Sequence, residues 1–447
     1  MNQLVLPAAT VAYVQRREKQ RQFVVWAVFF IYFLSLIEGP LRKWFLPELA
    51  GPLTLLRDPF VIALYLYCLS NGWILRKGLG GLWLGFAVLT SWFGLIQFVI
   101  NGLPITGWIL GVRTYWLYMP LAFVIAKSFR REDVMRFLRL NLWIALPYAL
   151  LVASQYNAGA AAFINRGVGG DESAAVGVSD GILRPFGLFT YTGPNVQFTA
   201  AMIAMYTAVF LAEPKERPPL PWFVAMALAV ATMSVLTGSR SIYFSAAIIL
   251  GLTILGMLAT RLTTQSLLKI AGIITFVVLA GVLLVEFFPD MLAAMDARFA
   301  RAARSEGSLW VRAFSGLTRP FDALGTAPLF GYGIGVGAPG VARFIGLAPL
   351  IYGESDLQRN INELGLLFGV IMIAFRFGTV SWVVLTTVRI AQRGLSVGLP
   401  LAGLTFEPLL VGQITHSPLN SFLVWISVGL IVSLMNSMLR NHNDALY

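Results

Sequence analysis

Residues 270–287 read IAGIITFVVLAGVLLVEF, and the stretch that follows, 288–363, has a different character altogether. The first carries a single charge, Glu286, near its end. A helix that crosses a bilayer needs about 20 such residues at about 1.5 Å each. The second carries seven arginines (Arg298, Arg301, Arg304, Arg312, Arg319, Arg343, Arg359) and no lysine. Guanidinium is planar, permanently charged and able to grip two phosphate oxygens at once, whereas lysine is a point charge. A segment that uses only arginine suits an oxyanion. The acids Asp290, Asp296, Glu306, Asp322, Glu354 and Asp356 suit a solvated, salt-bridged loop equally well.

Runs like 270–287 recur along the chain. Apolar residues make up 57% of the 447 and charged ones 12%, and the mean hydropathy is +0.75. This excludes an ordinary soluble enzyme. The runs are continuous rather than alternating, which argues for helices and against a barrel. Spans are expected near 23–38, 53–69, 81–100, 106–126, 134–155, 195–212, 220–237, 241–259, 270–287, 362–388, 397–415 and 418–438, twelve in all. The reading is an all-α polytopic integral membrane protein, with residues 1–447 forming one membrane domain. The lone Cys68 lies in an apolar run, so no disulfide framework is expected.

The net charge of +12 is explained by position rather than by nucleic acid. Arg16, Arg17, Lys19 and Arg21 precede the first span, and alternating loops carry Arg76-Lys77, Lys127 with Arg130-Arg131, Lys215 with Arg217, Arg261 with Lys269, and Arg389 with Arg393. Five of the six lysines, all but Lys43, fall on that side. The bias of short loops toward Lys and Arg makes it cytoplasmic, with both termini inside. No small-residue cleavage site follows the first span, so it reads as a retained helix. Two long segments then face outward, 156–194 and 288–361. In the second, Met291, Met295 and Phe299, and then Trp310, Phe314, Leu317 and Phe321, recur at helical spacing and predict short amphipathic helices at the membrane surface.

Charge within a span is costly and therefore informative. Glu38, Arg57, Asp58, Arg113, Arg184, Arg240, Glu286, Arg359 and His416 all fall at the outer ends of spans, which implies a polar chamber on that face. Arg376 and Glu407 lie near the middle of adjacent spans, where an ion pair between them is expected. The chain has no phosphate-loop pattern and no Gly-x-Ser-x-Gly elbow. With two histidines and one cysteine, no zinc site is assigned. Asp171-Glu172 and Glu354 with Asp356 are the outer acidic clusters that could hold a hard divalent ion.

Four short motifs, in order, are similar to those of the bacterial O-antigen polymerase and ligase family. They are Arg184-Pro185-Phe186-Gly187 through Pro194-Asn195, Thr237-Gly238-Ser239-Arg240-Ser241, Pro328-Leu329-Phe330-Gly331-Tyr332-Gly333-Ile334-Gly335, and Glu363-Leu364-Gly365 through Gly369. The resemblance covers about 184–388; the first five spans match only as apolar helices. It departs at Glu354-Ser355, where the family often has the His-Asn pair of the ligases. What it implies is glycosyl transfer from an undecaprenyl-diphosphate-linked glycan to a glycan acceptor at the periplasmic face of the bacterial inner membrane. The architecture implied is that of the C-type glycosyltransferases, without metal or cofactor. A chain-length regulator and a flippase are the implied partners besides the bilayer.

On that reading Arg184, Arg240, Arg359 and Arg312 hold the diphosphate, with Arg240 also catalytic, and Glu354 takes the proton from the acceptor hydroxyl. Gly331, Tyr332, Gly333, Gly335 and Asn195 form the substrate loop, and Trp310, Tyr332 and Tyr352 offer surfaces for sugar rings. The alternatives are a ligase that transfers polymer to a lipid acceptor, and a secondary transporter or flippase of lipid-linked sugars.

Overall fold

The computed structural model describes residues 8–444 except 175, 178–181, 261, 349–352, 354 and parts of 288–308; residues 309–315 are described by their backbone alone. Among the described residues fifteen α-helices carry the architecture. They are α1 (Ala8–Pro40), α2 (Asp58–Asn71), α3 (Leu79–Ile100), α4 (Ile105–Trp116), α5 (Met119–Ser128), α6 (Arg131–Asn157), α7 (Thr192–Leu211), α8 (Leu220–Leu236), α9 (Arg240–Leu258), α10 (Thr264–Phe287), α11 (Leu309–Leu324), α12 (Pro339–Phe344), α13 (Asp356–Gln392), α14 (Gly398–Leu410) and α15 (Pro418–Asp444). One two-residue antiparallel pair, β1 (Val176–Gly177) with β2 (Leu183–Arg184), sits in the 156–194 segment.

Each of the twelve expected spans overlaps a helix, but length and apolarity qualify fewer. Among the described residues nine helices are long and apolar enough to cross a membrane, ten if α4 and α5 form one span bent by 42°. The remaining two segments are short: α8 has 17 residues and α14 has 13. The 288–361 segment does carry short helices. α11 runs through Pro320 rather than stopping there, and the segment ends earlier than expected, because Asp356 already opens α13.

Polar ties hold one end of the bundle together. Arg17 Nη1 donates to Asn71 O at 2.8 Å, Arg21 Nη1 to Ser128 O at 3.1 Å, Lys269 Nζ to Leu211 O at 2.8 Å and Gln392 Nε2 to Ala259 O at 3.3 Å. This is the end with the lysine-bearing loops. α7 is the central helix, 89% of its apolar window being buried, whereas α10 is 6% buried and faces outward. Small residues let the helices approach closely, as membrane bundles require. A Cβ on Gly403 of α14 would lie 2.6 Å from Ile249 Cα of α9, and one on Gly429 of α15 would lie 2.9 Å from Ala122 O of α5.

Candidate functional site

The site end is built from helix termini, and α13 sets its depth. Gly365, at φ +79° and ψ +170°, breaks α13 into limbs 356–364 and 366–392. In a straight helix Asp356 and Arg376 would be about 30 Å apart. The chain instead doubles back, and Arg376 Nη1 donates to Asp356 Oδ2 at 2.9 Å. The limbs pack backbone against backbone: a Cβ on Gly369 would lie 2.5 Å from Ile361 Cα.

The glycine run clamps this turn. Tyr332 N donates to Asn362 O at 2.9 Å and Gly333 N to Glu363 O at 3.1 Å, while Gln97 Nε2 reaches both Phe330 O and Glu363 O. The Glu363 carboxylate accepts from Tyr115 Oη at 2.5 Å, Gly335 N at 3.1 Å and Gly337 N at 2.8 Å. A Cβ on Gly331 would lie 2.4 Å from Glu363 O, and one on Gly335 2.5 Å from Gly111 Cα. Gly331, Gly333 and Gly335 thus give close approach to the protein's own backbone and to Phe98. Tyr332 is 39% exposed beside them.

Below the turn lies a buried charge network. All five N–H groups of the Arg376 guanidinium are used. Nε donates to Leu409 O (2.8 Å), Nη1 to Asp356 and to Asn360 Oδ1 (3.0 Å), and Nη2 to Pro408 O (3.0 Å) and Gly412 O (2.7 Å). Pro408 and Leu409 lie in the last turn of α14, whose carbonyls lack intrahelical partners and carry the negative end of the helix dipole. Arg376 is therefore paired as expected, but with Asp356: among the described residues no ion pair joins it to Glu407. Depth reckoned along an unbroken span made Glu407 the nearest acid, and the reversal at Gly365 supplies a nearer one. Arg359 Nη2 bonds the other oxygen of Asp356, and Arg359 Nη1 meets His416 Nδ1.

In that contact the neutral imidazole accepts from the guanidinium. Burial, and then the Arg359 charge, push the His416 pKa from 6.5 down to about 4. The unfolded chain binds this proton at the ordinary value and the folded chain only at the lower one. The stability supplied by the neutral ring is therefore complete above about 6.5 and lost as pH falls toward about 4. Acidification across that window should lower the thermal midpoint, with a shallower slope in His416→Gln; an unchanged slope would clear His416 of the effect.

A cavity of about 110 Å³ lies alongside, lined by Arg42, Arg57, Arg113, Glu38, Thr190, Tyr191 and Ser417 among others. Arg57 Nε donates to Glu38 Oε2 at 2.8 Å and Arg42 Nη1 to Glu38 Oε1 at 3.3 Å. Arg113 Nε pairs with Asp58, which also accepts from Tyr118 Oη at 2.9 Å. The far wall is the 185–191 segment, fixed at Gly187. There φ is +59° and a Cβ would lie 1.9 Å from Tyr148 Oη. Lys43 Nζ donates to Gly187 O at 2.8 Å, and Gln155 Oε1 accepts from Gly187 N at 2.8 Å. Tyr191 Oη then donates to Ser417 Oγ at 3.3 Å, next to His416, which joins cavity and charge network into one polar layer.

The outer-end charges Glu38, Arg57, Asp58 and Arg113, legible in the sequence, are brought together here, and Arg359 and His416 meet beside them. Asn195 is buried, bonded to Tyr148 Oη and donating to Pro185 O at 2.8 Å, so it holds the 185–191 segment on α7. Arg184 lies half-buried in β2. Arg240 is the first residue of α9. Gln197 and Ser245, each five residues into its helix, border one packing gap beside Glu407, so the N-termini of α7 and α9 stand at one level. Arg312 is described by its backbone only, within α11; Glu354 and Tyr352 lie outside the described residues. α11 passes over the layer, where a Cβ on Gly316 would sit 3.1 Å from Val411 Cβ. Sequence reading missed Arg42 and the role of Asp356; the Glu38–Arg42 spacing of four was the available signal for the first. Among the described residues no three metal-ligating side chains converge. Compared with known proteins, the chain matches no family model and no curated protein.

Proposed function

We propose that this protein is a membrane glycosyltransferase that polymerises undecaprenyl-diphosphate-linked oligosaccharides at the outer face of the bacterial inner membrane. In this reading it has twelve spans and a C-type glycosyltransferase-like architecture. The observation that supports it is the polar layer: charged side chains and helix N-termini gather at one end of an apolar bundle, opposite the lysine-bearing loops. In the reaction the acceptor hydroxyl attacks the anomeric carbon of the donor. The bond from that carbon to the diphosphate oxygen breaks, and the hydroxyl proton passes to a base, for which Glu354 is the candidate. Charge develops on the leaving diphosphate, where fixed guanidinium groups of Arg184 and Arg240 stabilise it. Arg359 is the third candidate from the motif reading and Arg312 the fourth; Arg359 acts from within the buried network.

Cells lacking the protein should accumulate single repeat units on the lipid diphosphate, read by mass analysis of lipid-linked glycans. Long lipid-linked chains that are never transferred would instead indicate a ligase. Arg240→Lys keeps the charge but loses the two-pronged grip. It should lower polymer formation on the order of a hundredfold, about 2–4 kcal/mol of transition-state stabilisation, at normal protein level. Near-normal polymer from a well-folded Lys variant would take Arg240 out of the site.

A further inference from the structure

Arg57 and Arg376 use their donors in opposite ways. Arg376, in the same polar layer, spends all five N–H groups on protein oxygens at 2.7–3.0 Å. Arg57 is 3% exposed, so it is as well shielded from water as a core residue. Its Nε bonds Glu38, and its guanidinium lies 5.1 Å from the Tyr118 ring centre and 5.3 Å from that of Phe422. Yet its Nη1 is buried with no hydrogen-bond partner. A buried guanidinium nitrogen without an acceptor is costly; Arg131, Arg166, Arg217 and Arg359 each leave an Nε so, whereas Arg57 leaves an Nη1 beside a cavity. Arg57 lines the 110 Å³ cavity together with Arg42 and Arg113.

The helix ends around the cavity add to this. α2 begins at Asp58 and α7 at Thr192, and neither N-cap residue, Arg57 or Tyr191, caps its helix through its side chain. Residues 52–57 already turn helically into α2, so of the two only α7 opens its first turn near the cavity, through its N-cap residue Tyr191. Three guanidinium groups are offset by two carboxylates, Glu38 and Asp58, which leaves one positive charge over. At about 110 Å³ the cavity has room for a small oxyanion.

We propose that this cavity is a phosphate-class oxyanion site, with the Arg57 Nη1 and the Arg42 guanidinium as its principal donors. Its ligand is the phosphate or diphosphate of a lipid headgroup, or the free ion. Neither Arg184 nor Arg240 lines the cavity, and the test does not depend on the transfer reaction, since binding is measured without turnover. The test titrates inorganic pyrophosphate into purified full-length protein in detergent, by calorimetry at fixed ionic strength. Saturable binding is expected in the wild type and weakening of at least tenfold in Arg57→Gln and in Arg42→Gln. Exposed Arg343→Gln should bind like the wild type. If Arg57→Gln does not fold, Arg42→Gln carries the test. No saturable binding, or equal binding in all variants, overturns the proposal and leaves the cavity holding water only. Farnesyl diphosphate run in parallel distinguishes the sources: binding tighter than pyrophosphate assigns a lipid headgroup, equal binding the free ion.

Discussion

Asp356→Asn is expected to destabilise the folded protein by about 3–5 kcal/mol, the usual result of removing one partner from a buried ion pair. The side chain is fully buried, and its two oxygens face two different guanidinium groups, those of Arg359 and Arg376. Oδ2 also accepts from Thr415 N at 3.1 Å, which pins the connection between α14 and α15. The neutral amide leaves two cations without a counter-charge and turns its own N–H groups toward donors. Folded yield and thermal midpoint, followed by fluorescence-detected gel filtration, should both fall sharply. Arg376→Met added to Asp356→Asn should recover part of the loss, because one stranded charge is gone. A single variant with wild-type yield and midpoint would show that the network does not hold the fold.

Gly365→Ala is expected to be comparably severe, about 3 kcal/mol or more. At φ +79° and ψ +170° the residue occupies a region essentially reserved for glycine, where strain alone costs about 1–3 kcal/mol. The added Cβ would also lie 2.3 Å from Leu329 O and 2.7 Å from Gly331 N, and backbone atoms cannot swing aside like a side chain. The limbs of α13 would have to part, taking the Glu363 contacts and the Asp356–Arg376 pair with them. Gly378→Ala, where a Cβ meets nothing within 4 Å, is the control and should be nearly neutral. The comparison is again of thermal midpoints. Equal midpoints for the two variants would mean that α13 tolerates another path at Gly365.

The two residues also mark how far the sequence could be read. The apolar runs were plain because a bilayer imposes one length on every span, and α3, α6, α10 and α13 came out close to where the hydropathy put them. The charges at the outer ends, Glu38, Arg57, Asp58 and Arg113, were likewise visible, since any ionised group beside an apolar run stands out. Their pairing was not, because it depends on which helices touch. Gly365 was invisible as a reversal: it stands where the largely polar run 358–363 gives way to apolar residues, which reads simply as the start of a span, and single glycines are common in membrane helices. Only its contact with the 329–331 backbone forces the turn. Arg42 escaped notice because Pro40 suggests a helix end, whereas α1 runs on through a π turn, Leu41–Phe45, that carries Arg42 to Glu38. The transfer chemistry, with Arg184, Arg240 and Glu354, was legible only through resemblance in short motifs, since three scattered residues have no periodicity of their own.

Because Asp356 precedes Arg376 by only 20 residues, the order of synthesis matters to the charge. An unpaired arginine at the centre of a span costs about 2.5–3.5 kcal/mol to insert. Closure at Gly365 neutralises it against a carboxylate already made, before α14 and its carbonyls have left the ribosome. The segment 356–392 then enters lipid as a helical hairpin with Arg376 already paired, and the later helices dock onto a cation whose insertion problem has already been solved.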